Sequence, residues 1–144
     1  MKKYRGQDVK LGFEITGFAE DKNKNCERVL INQTVDGLPV DSHTAYIEIR
    51  DGSVKYFSGE WYFGEFVASY PMPLLDSVNI LFKCWEIDGN IIQESGALSE
   101  MTAQYTLMRH DTDKFYFIPS WRLVFECGKN FSYNMITGSK NSKN

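Results

Sequence analysis

An Asp51-Gly52 pair between two runs of alternating residues is the feature that most constrains how this sequence folds. Both residues tolerate the positive φ angles of a two-residue type I′ turn, which joins adjacent antiparallel strands. Such a turn fixes the register of a hairpin between residues 43–50 and 53–58. The sequence therefore predicts that apolar side chains pair with apolar ones and an acid with a base, as follows: Arg50 with Ser53, Ile49 with Val54, Glu48 with Lys55, Ile47 with Tyr56, and Tyr46 with Phe57.

Further stretches alternate with the period of two that is typical of strands with one buried face. The first contains Val9, Leu11, Phe13 and Ile15, and a polar loop at 20–27 separates it from a second strand at 28–35. A third stretch covers 101–107, and a charged loop follows at 109–114. A three-residue turn at 127–129 would place two apolar sets on one face: Trp121, Leu123 and Phe125 before it, and Phe131, Tyr133 and Met135 after it.

One segment has helical rather than strand periodicity. Its apolar residues fall on a single stripe: Leu74, Leu75, Val78, Leu81, Phe82 and Trp85. Pro73 suits the first helical position, and Asp88-Gly89 provides a stop signal. The pattern predicts a helix of about three to four turns whose apolar stripe is buried against a sheet.

Length and composition predict one compact unit. The chain has 144 residues, of which 42% are hydrophobic and 15% aromatic, and this composition favours a sheet. We therefore predict an α+β fold in which a curved antiparallel sheet packs around one main helix, in the order ββββ-α-βββ. The predicted domain covers residues 1–138, and the polar residues 139–144 are predicted to form a disordered tail.

Charge and cysteine content narrow the classes of partner. The net charge is -3, and no basic run interleaves with aromatic residues, so nucleic acid is excluded as a predicted partner. No apolar stretch approaches the length of about 20 residues that spans a bilayer, and the first residues lack a signal-peptide core.

Cys26, Cys84 and Cys127 form no C-x-x-C motif, which favours structural thiols, although the sequence leaves their redox state open. Because a strand pattern begins near Val9, Met1 is either a native start or a cut through a longer protein.

The sequence offers no set of residues that carries a recognisable reaction. It contains neither a nucleophile elbow nor a glycine-rich phosphate loop. His43 and His110 lack the spacing of a zinc site. His110 with Asp111 and Asp113 offers cation ligands, but a solvated turn is the favoured interpretation. We therefore predict no catalytic residue, no cofactor and no metal site.

A dense aromatic run after Gly59-Glu60 is the one candidate binding surface. It comprises Trp61, Tyr62, Phe63 and Phe66. In a continuing strand, Trp61 and Phe63 face one way and Tyr62 the other, so at least one side is a candidate edge for a protein partner. The alternative interpretation is that these side chains form part of the sheet core.

Several short motifs, in order, resemble a known family. The segment Ile31-Asn32-Gln33-Thr34-Val35-Asp36-Gly37-Leu38-Pro39-Val40 resembles the opening of YycH/YycI-type two-component regulatory domains of the PepSY-like superfamily. The hairpin, the helix, Pro119-Ser120-Trp121 and Thr137-Gly138 follow in the family's order, so that the resemblance covers residues 29–138. Gly37-Leu38-Pro39-Val40 is also similar to the propeptides of thermolysin-like metallopeptidases.

The resemblance implies a PepSY/cystatin-like fold and a non-catalytic function. The implied protein is an extracytoplasmic regulator from a Gram-positive bacterium that binds and modulates a sensor histidine kinase or a homologous regulator. It would be held at the membrane only by an anchor outside this sequence. Two alternatives stay open: a PepSY-like inhibitor or propeptide-type module that acts on a secreted peptidase, and an α+β domain that binds a small molecule. The oligomeric state is not predicted.

Overall fold

A computed structural model describes residues 10–21, 25–61, 73–111 and 114–141. The chain divides into two compact units, residues 1–69 and residues 70–144. Strands account for about 60% of the structure, and one helix of 19 residues accompanies them.

The first unit contains a four-stranded antiparallel arrangement in the order β1-β2-β3-β4. Its strands are β1 (Leu11–Asp21), β2 (Cys26–Val35), β3 (Leu38–Arg50) and β4 (Ser53–Ser58). Asp36 and Gly37 join β2 to β3 with φ angles of 49° and 81°, which is the left-handed region that a tight hairpin requires. Asp36 also ties down the start of β1, because its N–H donates to Lys10 O (2.8 Å) and its carboxylate accepts from Lys10 N–H (2.8 Å).

The predicted hairpin is confirmed near its turn and differs farther out. Asp51 and Gly52 have φ angles of 51° and 69°, and Arg50 pairs with Ser53 and Ile49 with Val54. A bulge then leaves Lys55 unpaired, so that Glu48 lies opposite Tyr56, Ile47 opposite Phe57 and Tyr46 opposite Ser58. The predicted pairing of Glu48 with Lys55 is wrong because the bulge removes Lys55 from the ladder. The Glu48 carboxylate instead binds two arginines, one from β2 and one from β3.

The second unit contains the helix α1 (Ser77–Ser95) and a three-stranded antiparallel arrangement in the order β5-β6-β7. The strands are β5 (Leu98–Asp111), β6 (Lys114–Phe125) and β7 (Asn130–Asn134). Phe125 N–H donates to Lys129 O (2.9 Å), so the predicted three-residue turn exists but lies one residue earlier than expected. Trp121 pairs with Tyr133 and Leu123 with Phe131, which confirms that these apolar residues share a face.

The helix exists, but its limits and its buried side differ from the prediction. It begins after Asp76, whose carboxylate accepts from Asn79 N–H (2.8 Å), and it continues past Asp88 to Gly96, with non-helical angles at Asp88. The side that packs on β6 and β7 carries Ile80 and Cys84. The predicted buried stripe is instead exposed over most of its length, at Leu74, Val78, Leu81, Phe82 and Trp85.

The predicted fold class is wrong. The chain is mostly β, with about 60% strand and one helix of 19 residues, rather than a sheet packed around a main helix. Two tight turns, Asp36-Gly37 and Asp51-Gly52, let the first four strands complete their ladders before the helix begins. The helix belongs to the second unit and packs there against residues of β6 and β7.

Residues 139–141, which the composition assigns to a disordered tail, run alongside β7. Asn134 N–H donates to Ser139 O (2.9 Å), and Asn141 N–H donates to Ser132 O (2.8 Å). Lys140 thereby lies opposite Tyr133, on the side of the strand that faces the helix. Residues 142–144 lie outside the described part of the chain.

Candidate functional site

The predicted aromatic binding run is only partly described. Trp61 is half-buried just after β4, whereas Tyr62, Phe63 and Phe66 lie outside the described residues, so their role stays a prediction. Gly59 leads into this segment with a φ of 150°, and a Cβ on it would come within 2.4 Å of the Ala45 Cβ. The backbone at Gly59 therefore lies directly against β3, and only glycine fits there.

The register of the first unit brings its apolar side chains onto one face. Because residues that pair directly across antiparallel strands point to the same side, the row Phe18, Val29, Ile47 and Phe57 crosses all four strands. A second row contains Ile15, Ile31 and Ala45. We call this surface the apolar face: Phe13, Ile15, Phe18, Val29, Ile31, Ala45, Ile47, Val54 and Phe57.

The outer parts of the apolar face are open to solvent. On β1, Phe13 is 66% exposed, Ile15 56% and Phe18 77%, whereas Ile31 and Ala45 in the centre are buried. On the other side, Val54 and Phe57 of β4 are exposed as well. At about 150–250 Å² per aromatic side chain, the exposed parts of Phe13, Phe18 and Phe57 amount to roughly 300–500 Å², a size that often marks a functional patch.

These β1 exposures correct a prediction made from sequence. Alternation identified Phe13 and Ile15 as members of an apolar face and predicted that the face is buried, but both side chains are exposed. A period of two shows which residues share a face, and it carries no information about what covers that face. Alternation did not assign Phe18 to this face, because a bulge between Ile15 and Gly17 changes which residues of β1 point to it.

One end of the apolar face is acidic. Glu20 pairs with Glu27 in the row next to Phe18 and Val29. Both carboxylates line a shallow depression with Asp51, and the other lining residues are Asn25, Cys26, Ile49 and Gly52. We call Glu20, Glu27 and Asp51 the acidic end.

The opposite face of the same sheet carries an internal ion network. Glu48 is buried and accepts from Arg50 Nη2 at 2.5 Å and from Arg28 Nη2 at 3.5 Å. The hydrogen bond from Arg50, helped by the Arg28 charge and opposed by burial, holds the pKa of Glu48 below its usual value. Arg28 also stacks over the Tyr46 ring at 5.0 Å from its centroid. This network joins β2 to β3 and so stabilises the sheet on which the apolar face lies.

A second polar group lies inside the other unit. Tyr133, fully buried, donates its hydroxyl hydrogen to the Asp88 carboxylate, and Lys140 Nζ contacts the same carboxylate at 2.9 Å. Burial raises the pKa of Asp88, but the hydrogen bonds from Tyr133 and Lys140 outweigh it and leave that pKa below its usual value. Burial together with the Asp88 contact raises the pKa of Tyr133, and burial likewise raises the pKa of the Cys84 thiol.

These four residues, Cys84, Asp88, Tyr133 and Lys140, form what we call the aspartate cluster. Its geometry fits a structural role, because the tyrosine that contacts the carboxylate is closed to solvent. The cluster holds the helix at the residue with non-helical angles and fastens the segment at 139–141 to it. Sequence reasoning missed the cluster, although an acid at the position that continues the spacing of Ile80 and Cys84 was a usable signal.

The remaining candidates from sequence contribute no defined site. His43 lies in β3 and His110 in β5 by their backbones. Within the described ranges, no group of three or more acidic, histidine or cysteine side chains is placed to hold a metal ion. Cys26, Cys84 and Cys127 are free thiols. Over the same ranges, no helix combines the length and apolar character needed to cross a bilayer.

Comparison with known proteins adds no identification. No protein-family model matches this chain, and no curated protein matches it. The surfaces of the chain itself therefore carry the functional argument.

Proposed function

We propose that this protein is a non-catalytic regulatory module that binds a protein partner through the apolar face of its first unit. The single observation that carries the proposal is the exposure of Phe13, Ile15 and Phe18 together on β1. Clustered exposed aromatic and aliphatic side chains, bordered by polar residues, are typical of protein interfaces. Lone exposed apolar residues carry no such meaning.

The shape of the apolar face favours a protein over a small molecule as its ligand. Its exposed residues lie along two strands, β1 and β4, with a buried floor between them at Ile31 and Ala45. Small molecules prefer concave sites that enclose most of their surface, whereas the depression that Glu20, Glu27 and Asp51 line beside this face is shallow and acidic. The ion network of Arg28, Glu48 and Arg50 on the opposite side keeps the sheet in register when its apolar face is occupied.

The partner class comes from the resemblance to YycH/YycI-type regulators. We propose the extracytoplasmic domain of a sensor histidine kinase as the partner, and consequently an extracytoplasmic location for this chain. The regulatory effect would arise from differential binding to two states of the kinase, because a partner that binds both states equally shifts neither. No chemical step on a substrate is required.

The experiment measures binding of the full chain to the purified extracytoplasmic domain of a sensor kinase encoded beside its gene, by isothermal titration calorimetry. Phe18→Ser should weaken binding about tenfold or more, since truncating a central aromatic contact costs roughly 2 kcal/mol. Phe82→Ser is the matched control, because Phe82 is 66% exposed on the helix of the other unit. We expect it to bind like the wild type.

Two results would reject the proposal. If neither the wild type nor the control binds the kinase domain, the proposed partner class is wrong. If Phe82→Ser abolishes binding while Phe18→Ser leaves it unchanged, the interface lies on the helix and the apolar face is not the site.

A further inference from the structure

We propose that the partner contributes an extended segment that adds to the open edge of β1 as a further antiparallel strand. This inference rests on the proposed function and specifies how the partner binds beside the apolar face. Among the residues that the structure describes, β1 pairs with β2 alone and ends the strand order of its unit. Its other edge therefore presents backbone groups that a second extended chain can bind.

The register shows which backbone groups point outward. Asp36 N–H donates to Lys10 O, so the pair formed by these two residues is a hydrogen-bonded one. Hydrogen-bonded and non-hydrogen-bonded pairs alternate along an antiparallel ladder. Leu11, Phe13 and Ile15 consequently occupy the non-hydrogen-bonded positions of the ladder with β2, and their N–H and C=O groups point away from it.

The outward backbone groups coincide with the exposed side chains. Among the described residues, the outward backbone groups of Phe13 and Ile15 have no ladder partner, and both side chains are exposed on the apolar face. An added strand would therefore gain ladder hydrogen bonds and, at every second residue, contact with an apolar side chain. Natural proteins protect exposed edges with charges, proline or bulges. The bulge of β1 lies after Ile15, so the ladder from Leu11 to Ile15 is regular and its edge is open to pairing.

The acidic end defines the chemistry of the segment. Glu20, Glu27 and Asp51 lie together where the apolar row of β1 ends. A complementary antiparallel strand carries basic residues at its amino end and alternating β-branched apolar residues after them.

The test uses three synthetic peptides with the full-length chain. The first begins with two lysines and continues as alternating threonine and valine. The second has the same sequence with the ladder-facing amides N-methylated, which keeps every side chain and removes the backbone donors. The third replaces the lysines by glutamates. Binding is measured by nuclear magnetic resonance titration, together with amide hydrogen exchange of β1.

We expect the first peptide to bind, the N-methylated peptide to lose binding, and the glutamate peptide to bind more weakly. At saturation, exchange of the Phe13 and Ile15 amides should slow about tenfold or more, while the Gly12 and Glu14 amides, already bonded within the sheet, should change little. Loss of affinity on Phe18→Ser would place the peptide beside the apolar face.

Three other outcomes would overturn the strand-addition model. Each can be distinguished from failure of the proposed function. In the first, the native and N-methylated peptides bind equally, with both affinities reduced by Phe18→Ser. That result would mean that the apolar face binds the peptide through side chains alone, without strand addition. Absence of peptide binding would reject the model, while the kinase titration decides the proposed function separately. Protection of Phe13 and Ile15 without peptide, accompanied by dimers in sedimentation velocity, would identify a second copy as the occupant.

Discussion

Removal of the Lys140 ammonium tests how the second unit holds its helix. Lys140→Met keeps an apolar stem of similar length and deletes the charge that lies 2.9 Å from the Asp88 carboxylate. The Asp88 side chain is only 7% exposed and that of Lys140 is 35% exposed. Breaking a fully buried ion pair costs about 3–5 kcal/mol, and solvent at the lysine reduces this to about 1–2 kcal/mol here.

Urea unfolding followed by tryptophan fluorescence measures the effect. Trp121 is a suitable reporter for this unit because its indole N–H donates to Leu75 O (3.2 Å), just before the helix. A loss of 1 kcal/mol corresponds to a fall in Tm of about 4–8 °C for a unit of this size. We expect the free energy of unfolding to fall by about 1–2 kcal/mol with an unchanged dependence on urea.

The control is a double-mutant cycle with Asp88→Asn. If the ion pair causes the loss, Lys140→Met should cost only a few tenths of a kcal/mol once the carboxylate is gone. An equal loss in both backgrounds would refute the reasoning and assign the effect to the cation–π contact of the Lys140 ammonium with Phe131, whose ring centroid lies 4.4 Å from Lys140 Nζ.

The same variant changes the response to acid. The pKa of Asp88 lies below its usual value in the folded protein, so its stabilising contribution is full above the unfolded pKa of about 3.9. That contribution disappears as the pH falls through the lower folded value. Between about pH 5 and pH 2, the wild type should therefore lose more stability than Lys140→Met does, and a steeper loss in the variant would contradict this explanation.

Two further predictions concern close contacts. Gly59→Ala should lower the free energy of unfolding by about 1–3 kcal/mol, because the new Cβ would come within 2.4 Å of the Ala45 Cβ. Gly17→Ala is the control: its Cβ would make an ordinary 3.6 Å contact, so thermal unfolding should show a change of less than about 0.5 kcal/mol. Similar losses for both variants would contradict the clash. Asn141→Ala should cost about 1–3 kcal/mol, because its Nδ2 donates at 2.9 Å to Ser120 and at 2.9 Å to Ser132. A wild-type urea midpoint for this variant would show that residue 141 does not secure the unit.

Local signals in the sequence predicted local structure. The Asp51-Gly52 turn and the two pairs beside it were predictable because turn chemistry fixes register over a few residues. The bulge at Lys55 was not predictable, because no local pattern in the sequence marks it. The partner of Glu48 was equally hidden, since Arg28 lies 20 positions away in the chain. The turn after Phe125 was similarly predictable in length and wrong by one residue in position.

Long-range contacts decided the features that sequence missed. The helix was expected to stop at Asp88-Gly89, but the buried hydrogen bond from Tyr133 holds Asp88 inside the helix despite its non-helical angles. Hydrophobicity alone favoured the stripe with Phe82 and Trp85 as the buried side, whereas Ile80 and Cys84 face the core. For the candidate site, alternation in the sequence predicted that Phe13 and Ile15 belong to one apolar face. That this face is exposed could be learned only from the structure.

Hydrogen–deuterium exchange of the complex with the kinase extracytoplasmic domain tests the central claim most directly, because it locates the interface on the wild-type chain. The proposed interface predicts slower exchange in peptides from β1 (Leu11–Asp21) and β4 (Ser53–Ser58), with α1 (Ser77–Ser95) unchanged. Protection confined to α1, or no protection of β1 when the kinase domain is saturating, would contradict it.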